Sequence, residues 1–272
     1  MMALRRPAVR YHGGKWKLAP WIIGHFPPHR VYVEPFGGGA SVLLRKPRCY
    51  AEVYNDLDGE IVNLFRVLRD QGPALVNAIY LTPFSRVEFQ DSYQPSDDPV
   101  EQARRTVIRS FMGFGSAGAC GANTGFRSNS NRSGTAPAHD WANYPSELPA
   151  IIERLRGVVI ENRNAAQVMA THDGGETLHY VDPPYLPETR DRGNDYKHEM
   201  SELEHLEMLD ALKALRGAVV LSGYESAIYD AALDGWTKVT RSAHADGAQD
   251  RVEVLWLNSK ATGQRSLFAG VS

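Results

Sequence analysis

Short unbroken apolar runs alternate along the chain with stretches of helical spacing, and that rhythm is interrupted once. Val31 to Phe36 reads as a short buried strand, Gly37-Gly38-Gly39 as a tight turn, and Ala40 to Lys46 as the opening of a helix. A second strand, Tyr50 to Tyr54, ends at Asn55-Asp56, and Glu60 to Asp70 sets Ile61, Leu64, Phe65 and Leu68 at helical spacing. Two strand-helix units in succession predict a parallel sheet with helices on its faces.

The rhythm breaks from Gln71 to Arg156. This stretch holds helical pieces, Val100 to Phe111 among them, and a run from Gly113 to Gly134 too rich in Gly, Ala, Ser and Asn to be core. It predicts a mainly helical lobe over residues 71–156, inserted into a single catalytic domain made of 1–70 and 157–272. The rhythm then returns with a strand at Val158 to Glu161, a helix at Ala165 to Ala170, and Leu178 to Val181 leading into Asp182-Pro183-Pro184-Tyr185. Ser201 and Glu204 form a capping box ahead of a leucine line, Leu203, Leu206, Leu209, Leu212 and Leu215; Gly217 ends that helix before a strand at Ala218 to Ser222. Thr237 to Ser242 and Val252 to Asn258 follow without a long helix between them, which predicts an antiparallel hairpin at the sheet edge.

Composition narrows the class. At 272 residues and 43% hydrophobic, the chain can build one substantial core and a smaller lobe. Cys49 and Cys120 stand far apart with no ligand-like neighbours, which argues against a disulfide framework or a zinc site and for a reducing, cytoplasmic setting. No apolar run approaches a membrane span, and the basic N-terminus is not followed by a signal-peptide hydrophobic region. A net charge of −2 would argue against nucleic-acid binding were it evenly spread. It is segregated: Arg5, Arg6, Arg10, Lys15, Lys17 and Arg30 precede the first acid, Glu34, and Arg104, Arg105, Arg109, Arg127 and Arg132 fall between Glu101 and Asp140 with no acid among them. The second set is the candidate for DNA contact, with solvated surface charge as the plain alternative.

Two features carry chemistry. A glycine turn after a buried strand lets a flat nucleoside approach the backbone, and Asp56, at the end of the next strand, stands where nucleotide-binding α/β folds place an acid for the ribose hydroxyls. Without the spacing G-x-G-x-x-G, the turn favours an adenosine-type ligand lacking a pyrophosphate. Asp182-Pro183-Pro184-Tyr185 is the stronger feature: two prolines hold a rigid corner whose carbonyls have no competing donors. Asp182 and a proline carbonyl can accept both hydrogens of an amine on an aromatic base, freeing its lone pair for direct attack on a sulfonium methyl. Tyr185 beside them offers a face on which an extruded base can stack.

These motifs, in this order, resemble the Dam-like adenine-specific DNA methyltransferases over nearly the whole chain. Arg10-Tyr11-His12-Gly13-Gly14-Lys15 is similar to that family's opening motif, Val33 to Ser41 to its cofactor loop, Asn55-Asp56 to its ribose-binding acid and Asp182 to Tyr185 to its catalytic tetrad. The resemblance implies an α/β fold with a mostly parallel, Rossmann-like sheet of class I methyltransferase type. It implies S-adenosylmethionine as cofactor without a metal, double-stranded DNA as partner, and methyl transfer to the exocyclic N6 amine of a flipped adenine. Expected catalytic residues are Asp182, Pro183, Pro184 and Tyr185. Expected cofactor contacts are Tyr11, Lys15, Phe36, Gly37, Gly39, Ser41, Asp56, Asp182 and, more weakly, Asn162. From chemistry alone Lys15 reads as a solvated charge.

The recognition lobe departs from the family in its Gly/Ser/Asn-rich run, so base-reading roles are not carried over; Arg127 and Arg132 are open between base reading and phosphate contact. Few rigid readers imply loose sequence specificity. The expected protein is a bacterial or phage-encoded monomer or weak dimer. The rivals are a methyltransferase acting on RNA or a protein glutamine, whose tetrad would begin with Asn, a nicotinamide oxidoreductase, and a catalytically silent DNA-binding protein.

Overall fold

A computed structural model describes residues 4–121, 123–129, 134–186, 197–244 and 250–266. Seven strands form one sheet: β1 (Val31–Glu34), β2 (Ala51–Asn55), β3 (Val158–Glu161), β4 (Thr177–Val181), β5 (Ala218–Tyr224), β6 (Thr237–His244) and β7 (Asp250–Leu257), in the order β3-β2-β1-β4-β5-β7-β6. The first five run parallel; β7 is antiparallel to both β5 and β6, the predicted edge hairpin. The fold is thus the expected α/β type with a mostly parallel sheet, consistent with class I methyltransferases.

Strand residues alternate between two covered faces, as a parallel sheet requires. Tyr32, Leu178, Tyr180, Ala218 and Val220 turn to one core, while Val181, Val219 and Leu221 turn to the other. The first face carries α1 (Ala19–Ile23), α2 (Ser41–Arg45) and α3 (Gly59–Asp70), and α3 begins at a true cap, Asp58 accepting from the Glu60 amide. The inserted segment supplies α4 (Gly72–Tyr80), α5 (Arg86–Asp91), α6 (Pro99–Met112), α7 (Pro137–Asn143) and α8 (Leu148–Leu155). These helices are not a free-standing appendage. Leu75, Val107, Phe111, Tyr144 and Ile151 share one apolar cluster with Leu64 and Phe65 of α3.

The other face is covered by α9 (Ala165–His172), α10 (Glu202–Ala214) and α11 (Ala227–Ala232), and α12 (Ser259–Ser266) follows β7. The Ser201–Glu204 capping box is present. The leucine line is not the buried stripe: Leu203 is 66% and Leu206 39% exposed, while His205, Met208, Leu209 and Leu212 are buried. Steps of three residues drift around a helix of 3.6 residues per turn, and a run of five leucines so spaced cannot stay on one face. The buried set stands at i, i+3, i+4 and i+7, a spacing that does.

Candidate active site

Strand order reverses between β1 and β4, and the crevice at such a point, outside the carboxyl ends of the strands, is where open α/β sheets bind ligands. A cleft of about 880 Å³, counted to its open mouth, lies there.

The glycine turn forms one wall. A side-chain carbon on Gly37 would stand 2.1 Å from the Tyr54 ring, whose hydroxyl donates to the Gly38 carbonyl at 2.8 Å. Gly38 has φ +45° and lies against the Tyr11 ring, and Ala40 is held at φ +53°, a strained conformation for a residue with a Cβ. Asp56 clamps the turn from β2: its Oδ2 accepts from the Gly38 amide at 2.8 Å and its Oδ1 from the Asp58 amide at 2.8 Å. Burial raises the Asp56 pKa above the ordinary carboxylate value, against the pull of those two amides.

Glu34, at the end of β1, is an acid of the cleft that no sequence pattern singled out. It is fully enclosed, and its Oε2 accepts from the Tyr32 hydroxyl at 2.6 Å and the Leu43 amide at 2.9 Å. Burial, reinforced by the nearby Asp182 charge, raises its pKa to about 8.

The proline corner ends β4 on the opposite wall. β4 and β5 pair Val181 with Leu221, so the next residue on β5, Ser222, reaches Asp182. Ser222 Oγ donates to Asp182 Oδ1 at 2.7 Å, and Lys15 Nζ lies 3.2 Å from the same oxygen. Both donors converge on Oδ1, which leaves Oδ2 clear of them. Lys15 is buried, donates to the Gly13 carbonyl at 2.9 Å and stands 4.5 Å from the Tyr185 ring centre; it is not a solvated charge. At the mouth, Lys197 bridges Asp58 Oδ1 (3.2 Å) and Glu60 Oε1 (3.3 Å).

Of the residues expected in the site, Tyr11, Lys15, Phe36, Gly37, Gly39, Ser41, Asp56, Asp182 and Pro184 line this one cleft, and Pro183 is buried behind it. Tyr185 does not line it. Its ring is 7% exposed and borders a smaller pocket with Gly223, Tyr224 and Tyr229. Asn162 is also outside the cleft: its Nδ2 donates to the Asp56 and Leu57 carbonyls at 2.7 and 3.2 Å, bracing the loop from behind. Buried Asn55 does similar work, tying the Pro35 and Arg163 carbonyls together.

The arginines expected at DNA have partners within the chain. Arg104 pairs with Glu88 and Glu101, and Arg105 with Glu101 and the Gln94 carbonyl. Arg109 is 3% exposed, paired with Glu60 and donating to the Ser92 carbonyl at 2.6 Å. Arg127 is buried with Nη1 on the Phe111 carbonyl at 2.9 Å. A guanidinium engaged in this way has fewer donors to turn toward a phosphate or a base edge. Arg132 lies outside the described residues.

Among the described residues no group of acids, histidines or cysteines is placed to hold a metal ion, and no helix is long and apolar enough to cross a membrane. Residues 11–242 match the family of D12 class N6 adenine-specific DNA methyltransferases. The chain is 24% identical over 266 residues to a DNA adenine methylase of Salmonella typhi, covering 90% of this chain and 92% of that one. It is 26% identical over 234 residues to a type II methyltransferase of Lactococcus lactis subsp. cremoris, 77% of each, and 25% identical over 197 residues to the DNA adenine methylase of Escherichia coli K12, 68% of this chain and 67% of that one. The switch-point cleft, the glycine turn and the proline corner therefore stand in a chain that belongs to the D12 class of N6 adenine-specific DNA methyltransferases.

Proposed function

We propose that this DNA adenine methyltransferase holds S-adenosylmethionine along the glycine turn and Asp56, and presents an adenine extruded from double-stranded DNA to Asp182. The cleft suits such a ligand. Gly37 and Gly38 leave a cradle that side chains would fill, and Asp56 and Asp58 line it with acidic groups that suit a ligand with cationic centres. When bound, the cofactor supplies a methyl group on a positively charged sulfur.

The chain's own contribution falls on the amine. The N6 lone pair is delocalised into the purine ring, and acceptors on both of its hydrogens draw the nitrogen toward tetrahedral geometry. Asp182 Oδ2 is one acceptor, since Ser222 and Lys15 hold the carboxyl through Oδ1. The Pro183 carbonyl, which no proline N–H competes for, is the other. After transfer the methylated nitrogen carries an extra proton, and Asp182 Oδ2 is placed to take it. This orientation of Asp182 by two fixed donors is the observation that carries the reading.

With the α6 arginines engaged internally, phosphate contact falls to exposed cations beside the opening motif, Arg5 and Lys17. The setting proposed is the cytoplasm, and the reaction needs no metal because the leaving group is a neutral thioether.

The test is methyl transfer from labelled S-adenosylmethionine to DNA, RNA and protein in parallel, with a chelator present. Label should enter DNA alone. Asp182→Ala should lower kcat by roughly a hundredfold or more with cofactor affinity little changed. Turnover by that variant near the wild-type rate, or reversible arrest by the chelator, sinks the mechanism.

A further inference from the structure

The mechanism above makes no use of a buried acid that touches the catalytic corner. Glu253 of β7 is 7% exposed, and the sheet register sets it directly opposite Tyr224 of β5 on one side and Arg241 of β6 on the other. Its Oε2 accepts a hydrogen bond of 3.0 Å from the Tyr185 hydroxyl. The Tyr185 ring in turn meets the Tyr224 ring edge-on, with centres 4.6 Å apart and planes at 73°. Enclosing a carboxylate is unfavourable unless charged or polar partners compensate it, so its position at the tip of the catalytic corner calls for a reason.

The prolines hold the backbone of the corner but not the direction of the ring that follows it. That direction depends on two side-chain torsions of Tyr185, whose ring borders a small pocket with Leu186, Gly223, Tyr224, Ser226 and Tyr229. A hydroxyl donating to a carboxylate is stronger than one donating to a neutral acceptor, and at 3.0 Å this bond ties down the far end of the ring. Tyr224 closes one edge.

We infer that Glu253 is a positioning residue: through the Tyr185 hydroxyl it locks the ring in the orientation that receives the target adenine, with Tyr224 as the second aromatic wall of that site. It touches neither base nor cofactor. The inference rests on the assignment of Asp182 to Tyr185 as the catalytic corner.

The experiment is a double-mutant cycle on the full-length enzyme, with Tyr185→Phe, which keeps the ring and removes the tether, Glu253→Ala and the pair together. Glu253→Gln and Tyr185→Ala serve as controls. Readouts are kcat, cofactor Kd, and the fluorescence rise of 2-aminopurine at a methylated adenine position in a duplex, which reports unstacking of the target base. Tyr185→Phe and Glu253→Ala should each lower kcat and the fluorescence rise by about tenfold, the scale of one charge-assisted hydrogen bond, with cofactor Kd within about twofold of wild type. The double variant should be no worse than the poorer single, and Glu253→Gln, which keeps an acceptor, should recover most of the loss. Wild-type behaviour of Tyr185→Phe, or losses that simply multiply in the double variant, overturns the inference. Tyr185→Phe leaves Glu253 in place, so its result stands even where Glu253→Ala fails to fold. Tyr185→Ala separates the two levels of the argument: if it too is wild-type, the ring has no role at the base and the catalytic assignment of Tyr185 falls, whereas a crippled Tyr185→Ala beside an unaffected Tyr185→Phe removes only Glu253.

Discussion

Glu34 holds its carboxyl between the Tyr32 hydroxyl and the first turn of α2, sealed from water beside the cleft. Its pKa of about 8 against an ordinary 4.5 makes it a pH-dependent element of stability. Below the ordinary value both folded and unfolded chains carry the proton. As pH rises from 4.5 to about 8 the unfolded chain has lost the proton while the folded one keeps it, so the folded state loses ground; above that both are ionised and the loss is complete. Glu34→Gln, whose amide oxygen can accept from Tyr32 and Leu43, removes the titration. Denaturant midpoints at about pH 5 and about pH 9 should show wild type losing on the order of a few kcal/mol relative to the variant over that span. Parallel pH profiles for the two would show that Glu34 is solvated in the folded protein.

At the scale of elements, α6 and the chain after it decide how the segment between α6 and α7 is held. Arg104 and Arg105 close around Glu101, and the Arg104 guanidinium, with Arg105 beside it, holds the Glu101 carboxyl at about 2. The run that follows, poor in aliphatic residues, is anchored at its base. The Phe114 amide donates to the Gly125 carbonyl at 2.7 Å and the Arg127 amide to the Met112 carbonyl at 2.8 Å, and Phe126 packs its ring 5.2 Å from Phe84 and 5.7 Å from Phe89. The tip of the run remains Gly-rich, with Gly115 and Gly121 at positive φ and Phe114 66% exposed. Discriminating a base pair takes a side chain held for bidentate contact, worth about 1–3 kcal/mol, and the tip has few such holds. Loose sequence specificity is therefore the expected outcome, read by long-read sequencing of DNA methylated to completion. Modification confined to one defined site of about four or more base pairs would mean that the tip orders into a specific reader on DNA.

Across the whole molecule, the inserted lobe is tied to the sheet by a buried charge cluster. Arg154 of α8 is 2.6 Å from Glu52 of β2, Lys46 after α2 is 2.7 Å from the same carboxyl, and Arg154 also donates to the Leu43 carbonyl at 2.5 Å. All three residues are 3% exposed. Removing Arg154 leaves the Lys46–Glu52 pair balanced but takes guanidinium hydrogen bonds from Glu52 and the Leu43 carbonyl, so Arg154→Met should lower stability by about 1.5–3 kcal/mol, seen as a fall in denaturation midpoint without a change in slope. A loss under about 1 kcal/mol would mean that water readily replaces the guanidinium.

The parts legible from the sequence were those decided by neighbours in the chain. The strand at Val31, the glycine turn, the Ser201 capping box and the proline corner each depend on backbone sterics and hydrogen bonds spanning a few residues, and their order was enough to predict the sheet, its edge hairpin and the position of Asp56 and Asp182 at strand ends. What only the tertiary structure decided depends on burial and on partners far apart in sequence. Arg104 and Arg109 look like part of a basic stripe until Glu88 and Glu60 are folded against them. Asn162 follows the right strand but turns to the wrong side of its loop. Glu34 gains its pKa from desolvation, which no local pattern encodes. Ser222 reaches Asp182 and Glu253 reaches Tyr185 only because the sheet register lays β5 and β7 beside the end of β4. Chain neighbours determine what conformation a segment adopts; packing across the sheet determines which side chains are withdrawn from water and whom they meet there.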